Sequence, residues 1–266
     1  MGNGLCSRNG VNTMNNFQWS GMSPVRRRYF LRLFGRVLIL AACAVMCAVW
    51  PQQYDILYGW QFFKQPSIMH ILWLIWMAEM AVQLLPVRSQ IPLGSQKLFK
   101  LRFKPIREKF SRRALQQYII STTRSAFWVL LLWTALIAVI GVLYYAGVLN
   151  RTALFMISVV FYVCDLICVL IWCPFRLIMK NRCCTTCRIF NWDHLMMFTP
   201  MLFVDSFYSW SLLGVAIAVW IVWEGCIMLF PERFWEQTNT ALRCSECTDK
   251  LCTQYCQKLR KERKTP

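Results

Sequence analysis

The chain has 266 residues, 57% of them hydrophobic, a mean hydropathy of +0.40 and a formal net charge of +18. It is long enough for one large soluble domain, but its apolar residues fall in unbroken runs of bilayer length, so lipid is the solvent for most of it. No nucleophile motif, phosphate-binding glycine loop or dinucleotide fingerprint is present, which leaves conventional soluble enzyme chemistry without support.

The placement of the charges sets the expected topology. Of the 30 Lys and Arg residues, six precede residue 37, ten lie between 86 and 126, four between 174 and 193, and eight follow 230. Only Lys64 and Arg151 fall in the other connections. This alternation is the positive-inside pattern, and it places both termini and the two long basic connections in the cytoplasm, against an anionic inner leaflet. Nucleic acid is not expected as a partner, because no recognition motif accompanies the charge. The expected architecture is an all-α polytopic bundle of the cell membrane with about six spans, forming one domain over 26–231.

Residues 1–25 are polar, rich in Gly, Asn and Ser, and read as a disordered N-terminus. Arg26-Arg27-Arg28 followed by Tyr29-Phe30-Leu31-Arg32 is similar to a twin-arginine export signal, and Leu40-Ala41-Ala42-Cys43 to a lipoprotein cleavage box. The apolar run continues past Cys43 through Val49, so an uncleaved first span at about 34–50 is the preferred reading. A short outer loop with Tyr54, Tyr58 and Trp60 leads to a second span at 67–85. That span carries Glu79, with Gln83 one turn further along the same face. A carboxyl in hydrocarbon is costly and should face the bundle interior, as a relay or as a hydrogen-bonded structural group.

The basic cytoplasmic loop 86–126 begins with Lys97 to Lys104, alternately basic and apolar, a pattern suited to lying on lipid headgroups. Helical periodicity from Ile106 onward runs into a third span at 127–147. The fourth, at 153–172, carries Asp165 among Cys164 and Cys168, and ends at Cys173-Pro174. A fifth segment at 189–205 crosses if it is one helix, with Asp193 and His194 capping or orienting its start; otherwise Pro200 breaks it into a re-entrant piece. The sixth span, 211–230, contains Glu224 between Trp220 and Pro231 and leads to the cysteine-rich basic tail 232–266.

Fourteen cysteines are many for this length, and on a reducing face clustered thiols are metal ligands more often than disulfides. Cys184 and Cys187, with Cys183 adjacent, form one pair at the spacing tetrahedral zinc prefers; Cys244 and Cys247 form a second, followed by Cys252 and Cys256. The two pairs could close one four-sulfur site that pins the tail to the inner face, or the tail could suffice by itself. Basic neighbours such as Arg182 and Arg188 favour the thiolate. Structural zinc is the first expectation, and an iron–sulfur cluster the alternative. The arrangement is similar to membrane iron–sulfur subunits of quinol-linked electron transfer, although their diagnostic spacings are missing. The sequence thus supports a membrane binding or assembly component with a cytoplasmic protein partner. Its alternatives are an electron-transfer protein working with a quinone, or a small proton-coupled transporter using Glu79, Asp165 and Glu224.

Overall fold

A computed structural model describes residues 23–85, 97, 99, 103–106, 111–181, 183–243 and 251. The N-terminal segment before Ser23, most of the 86–110 stretch and the tail cysteines Cys244, Cys247, Cys252 and Cys256 lie outside the described residues. Seven α-helices follow in order: α1 (Pro24–Val49), α2 (Met69–Leu84), α3 (Arg112–Tyr145), α4 (Arg151–Leu170), α5 (Phe175–Met179), α6 (Asp193–Phe198) and α7 (Phe207–Leu229). Among the described residues no strand forms, only isolated bridges at Gly59–Ser206 and Pro105–Asn239. Four helices, α1, α3, α4 and α7, are long and apolar enough to cross a membrane, while α2 is a shorter apolar helix of 16 residues.

Local chemistry explains where the helices begin and end. Ser23 caps α1, its Oγ accepting the Arg26 amide at 3.2 Å, with Pro24 in the first turn where its missing N–H costs nothing. Gly147, at φ +76°, turns the chain between α3 and α4, and Asn150 Oδ1 then accepts the Ala153 amide at 2.7 Å. Ser206 caps α7 through the Ser209 amide, and Pro231 follows its end. The first helix begins ten residues before the expected span, and the third is 34 residues long, roughly 50 Å, so its polar first turns extend beyond any hydrocarbon layer.

Residues 189–205 are not the single helix the sequence allowed. They form a 3-10 turn at Arg188–Asn191, then α6, then a second 3-10 turn at Thr199–Phe203. Pro200 is the cause, because it has no N–H to give the Met196 carbonyl four residues back. The Thr199 hydroxyl donates to that carbonyl instead, at 2.8 Å, and itself accepts from the Trp133 indole at 2.9 Å. This broken segment nevertheless runs alongside α7 from one end to the other. It starts where Arg188 meets Glu224 near the last turns of α7 and finishes beside its first turn, where Gly59 and Asp205–Phe207 exchange backbone hydrogen bonds of 2.9 and 3.0 Å. Irregular backbone is stable in such a place because neighbouring helices bury it.

The core is built on Trp76 of α2, fully buried, with the rings of Phe155, Tyr162 and Phe198 at centroid distances of 5.8, 5.8 and 5.2 Å. The outward faces are apolar as well: Leu38, Val45, Leu74, Val139 and Ile221 are all exposed. A soluble protein would bury such a set, whereas a bundle in lipid has no reason to.

Candidate functional site

Four helices, α1, α2, α4 and α6, bring charged and polar side chains to one level inside the bundle. Arg36, midway along α1, is the hub. Its Nη1 donates to Asp165 Oδ2 of α4 at 2.8 Å and to the Tyr162 carbonyl at 2.7 Å, and its Nη2 faces Glu79 Oε2 of α2 at 3.5 Å. The guanidinium also lies over the Tyr162 ring, 3.8 Å from its centre. The Tyr162 hydroxyl donates to the other oxygen of Glu79 at 2.9 Å. Glu79 and Asp165 therefore share one arginine, and Tyr162 sits against both partners of the Glu79 pair.

The broken segment supplies the other half. His194 Nε2 stands 3.7 Å from Glu79 Oε2, and its Nδ1 lies 3.1 Å from Asp193 Oδ2 and 3.1 Å from Gln83 Nε2. Gln83 also donates to Asp193 Oδ2 at 3.2 Å. The sequence placed Glu79 and Gln83 on one face of a helix, and that face meets Asp193 and His194. Trp192 holds the N-cap position of α6 and makes no side-chain cap bond, so the Asp193 and His194 side chains serve this network instead.

The charges in the cluster do not balance. Glu79, Asp165 and Asp193 supply three carboxylates, against Arg36 and, at most, a protonated His194. Three further polar atoms here, Asp193 Oδ1, Gln83 Oε1 and His194 Nε2, are buried without a hydrogen-bond partner. Two of the three are acceptors, so the site lacks donors or positive charge. Buried carboxylates are tolerated only when paired or neutralised, so this arrangement calls for a proton or a cation.

Glu224, grouped with Glu79 and Asp165 by the sequence, occupies a separate and saturated clamp. Its Oε2 meets Arg188 Nη2 at 2.6 Å, and its Oε1 accepts from the Trp192 indole at 2.9 Å. Arg188 also reaches Thr123 at 2.9 Å, while the Trp223 indole donates to the Arg188 carbonyl at 2.6 Å. This clamp ties the start of the broken segment to α3 and α7. It also means that Arg188, expected to support a thiolate, is committed to a carboxylate.

Among the described residues no group of three or more His, Cys, Asp or Glu side chains has the geometry to hold a metal ion. Cys183, Cys184 and Cys187 flank a 3-10 turn at Cys184–Thr186, and the Cys184 thiol points to the Cys168 carbonyl at 3.7 Å. Burial pushes Cys184 up to about 12 and also raises Cys187. Cys173, just past α4, behaves oppositely and is held near 7 by the Cys168 thiol and by the amides of Phe175 and Arg176. Leu251, between the two tail cysteine pairs in sequence, is buried against Tyr29, Leu166 and Leu170, close to where α4 ends.

Sequence reasoning missed Arg36 and Tyr162. Arg36 falls inside the expected first span at about 34–50, since the apolar run from Val37 to Trp50 is too short to span alone, but its charge reads there only as one of the six basic residues before 37. Tyr162 lies one turn before Asp165 and shares its face, a spacing that could have marked it. No protein-family model matches the chain, and no curated protein or solved structure matches it.

Proposed function

We propose that the protein is a six-crossing membrane protein with both termini in the cytoplasm, and that its buried cluster binds and releases protons to drive a small proton-coupled transporter. The observation that carries this reading is the charge imbalance, with three carboxylates facing at most two cations around His194. A proton shared among Glu79, His194 and Asp193 would neutralise the excess, and its exchange would alter the contacts joining α1, α2 and the broken segment. A broken crossing element beside intramembrane carboxylates suits a site that opens alternately to the two faces. The crossing count is supported by α2 packing within the bundle and by the broken segment running the length of α7. The orientation rests on the basic connections. In proteoliposomes with an internal pH dye and an imposed potential, the wild-type chain should admit protons and Glu79→Gln should not. Equal fluxes from the two would remove the reading.

A second reading is favoured by the seat of Leu251. With Leu251 packed on Leu166 and Leu170 near the end of α4, a clasp in which Cys184 and Cys187 join Cys244, Cys247, Cys252 or Cys256 around zinc gains support. Such a clasp would order a surface for a cytoplasmic protein partner. Metal analysis of anaerobically purified protein tests it. One zinc per chain, lost in Cys247→Ser, supports the clasp; iron with sulfide would make it an iron–sulfur site; metal-free, folded protein rejects both.

A further inference from the structure

Three atoms on α2 and α6 meet pairwise at hydrogen-bond distance. Gln83 Nε2 lies 3.1 Å from His194 Nδ1 and 3.2 Å from Asp193 Oδ2, and Nδ1 and Oδ2 are themselves 3.1 Å apart. We propose that the exchangeable proton of the buried cluster resides on Asp193 Oδ2, and that Gln83 is the positioning residue that keeps it there. This rests on the proton reading above and assigns that proton to one atom. A closed triangle of contacts is satisfied only if one corner both donates and accepts. Gln83 Nε2 only donates, a carboxylate Oδ2 only accepts, and Nδ1 does one or the other. With a proton on Oδ2 every side closes: Nε2 gives one hydrogen to Oδ2 and the other to Nδ1, and the Asp193 O–H donates to Nδ1. Turning the amide over, so that Oε1 takes the corner, changes nothing for Asp193, because the side between the two oxygens still needs a hydrogen on Oδ2.

The surroundings of the triangle point to the same atom. Glu79 of α2 and Asp165 of α4, the other carboxylates of the cluster, are answered by stronger donors: Arg36 of α1 reaches both, and the Tyr162 hydroxyl donates to Glu79 Oε1. Asp193 has the neutral Gln83 amide instead, and its Oδ1 is buried without a partner. An orphaned oxygen costs less on a neutral carboxyl than on a carboxylate. His194 is only 4% exposed; with Nδ1 accepting, its one ring hydrogen sits on Nε2, which faces Glu79 Oε2 at 3.7 Å. Moving the proton breaks the Oδ2–H bond of Asp193 and forms an N–H bond at His194 Nδ1, which sets two donors, Nδ1 and Gln83 Nε2, 3.1 Å apart. Losing it altogether sets the Nδ1 lone pair against a carboxylate oxygen, also at 3.1 Å. Either change leaves one side of the triangle repulsive, so the seam where Gln83 meets the broken segment is tightest with Asp193 protonated.

Nitrogen-15 NMR of labelled histidine, paired with infrared spectroscopy, tests the assignment on the full chain in lipid at neutral pH. Only His70 and His194 contribute signals, and His194→Gln tells them apart. The wild type should show His194 as a neutral imidazole with a bare Nδ1 and a hydrogen on Nε2. It should also show a carboxylic C=O band that shifts when aspartate, not glutamate, carries carbon-13, and that vanishes in Asp193→Asn. Gln83→Leu, which lacks the amide, should lose the band and show both His194 nitrogens protonated; Gln83→Met serves where that variant does not fold. A merely structural Gln83 would leave the wild-type signals in place, which would overturn its positioning role. Both His194 nitrogens protonated in the wild type, or a band that labelled glutamate shifts or Asp193→Asn retains, would overturn the assignment to Asp193 while sparing the proton reading. A bare Nδ1 with no carboxylic band at all would remove both.

Discussion

Replacing Arg36 by Met removes the hub of the buried cluster while preserving most of its volume. The substitution deletes a 2.8 Å bond to Asp165, a 2.7 Å bond to the Tyr162 carbonyl, the 3.5 Å approach to Glu79 and the stacking on the Tyr162 ring. Two carboxylates are left without their cation. Removing one partner of a buried pair costs about 3 to 5 kcal/mol, because the other charge stays buried and uncompensated. The loss should therefore approach that range, a large share of the roughly 5 to 15 kcal/mol that holds a typical domain together. Asp165→Asn in the same background removes one stranded charge, so the double variant should be more stable than Arg36→Met alone. The assay is equilibrium unfolding in mixed detergent micelles followed by circular dichroism, run as a double-mutant cycle. Coupling of about 1 to 3 kcal/mol is expected for residues in direct contact. Additive losses, agreeing within about 0.5 kcal/mol, would show that Arg36 and Asp165 are not the pair described here.

Other perturbations discriminate between parts of the structure. Burial holds Lys97 at about 8, below its ordinary 10.5, against the opposing influence of Cys187 and Cys183. The unfolded chain thus binds more protons between those values, so stability should rise with pH across that window by about 3 kcal/mol and be flat below it. Urea midpoints measured from pH 7 to 11 should show the rise in wild type and lose it in Lys97→Met. Glu224→Gln should destabilise the fold by about 3 kcal/mol or more, since Arg188 loses the carboxylate it pairs with at 2.6 Å, yet leave any proton flux intact in the protein that remains folded. A Cβ on Gly141 would come within 2.5 Å of the Phe203 ring, so Gly141→Ala should cost about 1 to 3 kcal/mol despite its better helix propensity. Phe203→Leu should restore much of that loss, and no recovery would mean that the close approach is not the cause.

The long apolar runs made α1, α3, α4 and α7 legible, because a helix in lipid must satisfy its backbone internally and announces itself by length. Glu79 and Asp165 were legible for the same reason, as charges where none should be. What the sequence did not disclose is convergence. Arg36 reaches Asp165 across 129 residues and Gln83 reaches His194 across 111, separations that leave no mark in local periodicity. Glu224 shows the opposite case. Its place in a long apolar run was visible, but nothing local revealed that Arg188 and Trp192 saturate it. The break at Pro200 was foreseeable from its missing N–H, whereas the rescue of the Met196 carbonyl by Thr199 required the structure.

The central claim, that the Glu79–His194–Asp193 cluster carries an exchangeable proton, is tested most directly by infrared difference spectroscopy of the full chain in lipid across a pH titration. The account predicts a buried carboxylic C=O band that titrates, shifts in heavy water, and disappears or moves in Glu79→Gln or Asp193→Asn. A spectrum with no titrating carboxyl band, or one that both substitutions leave untouched, would contradict it.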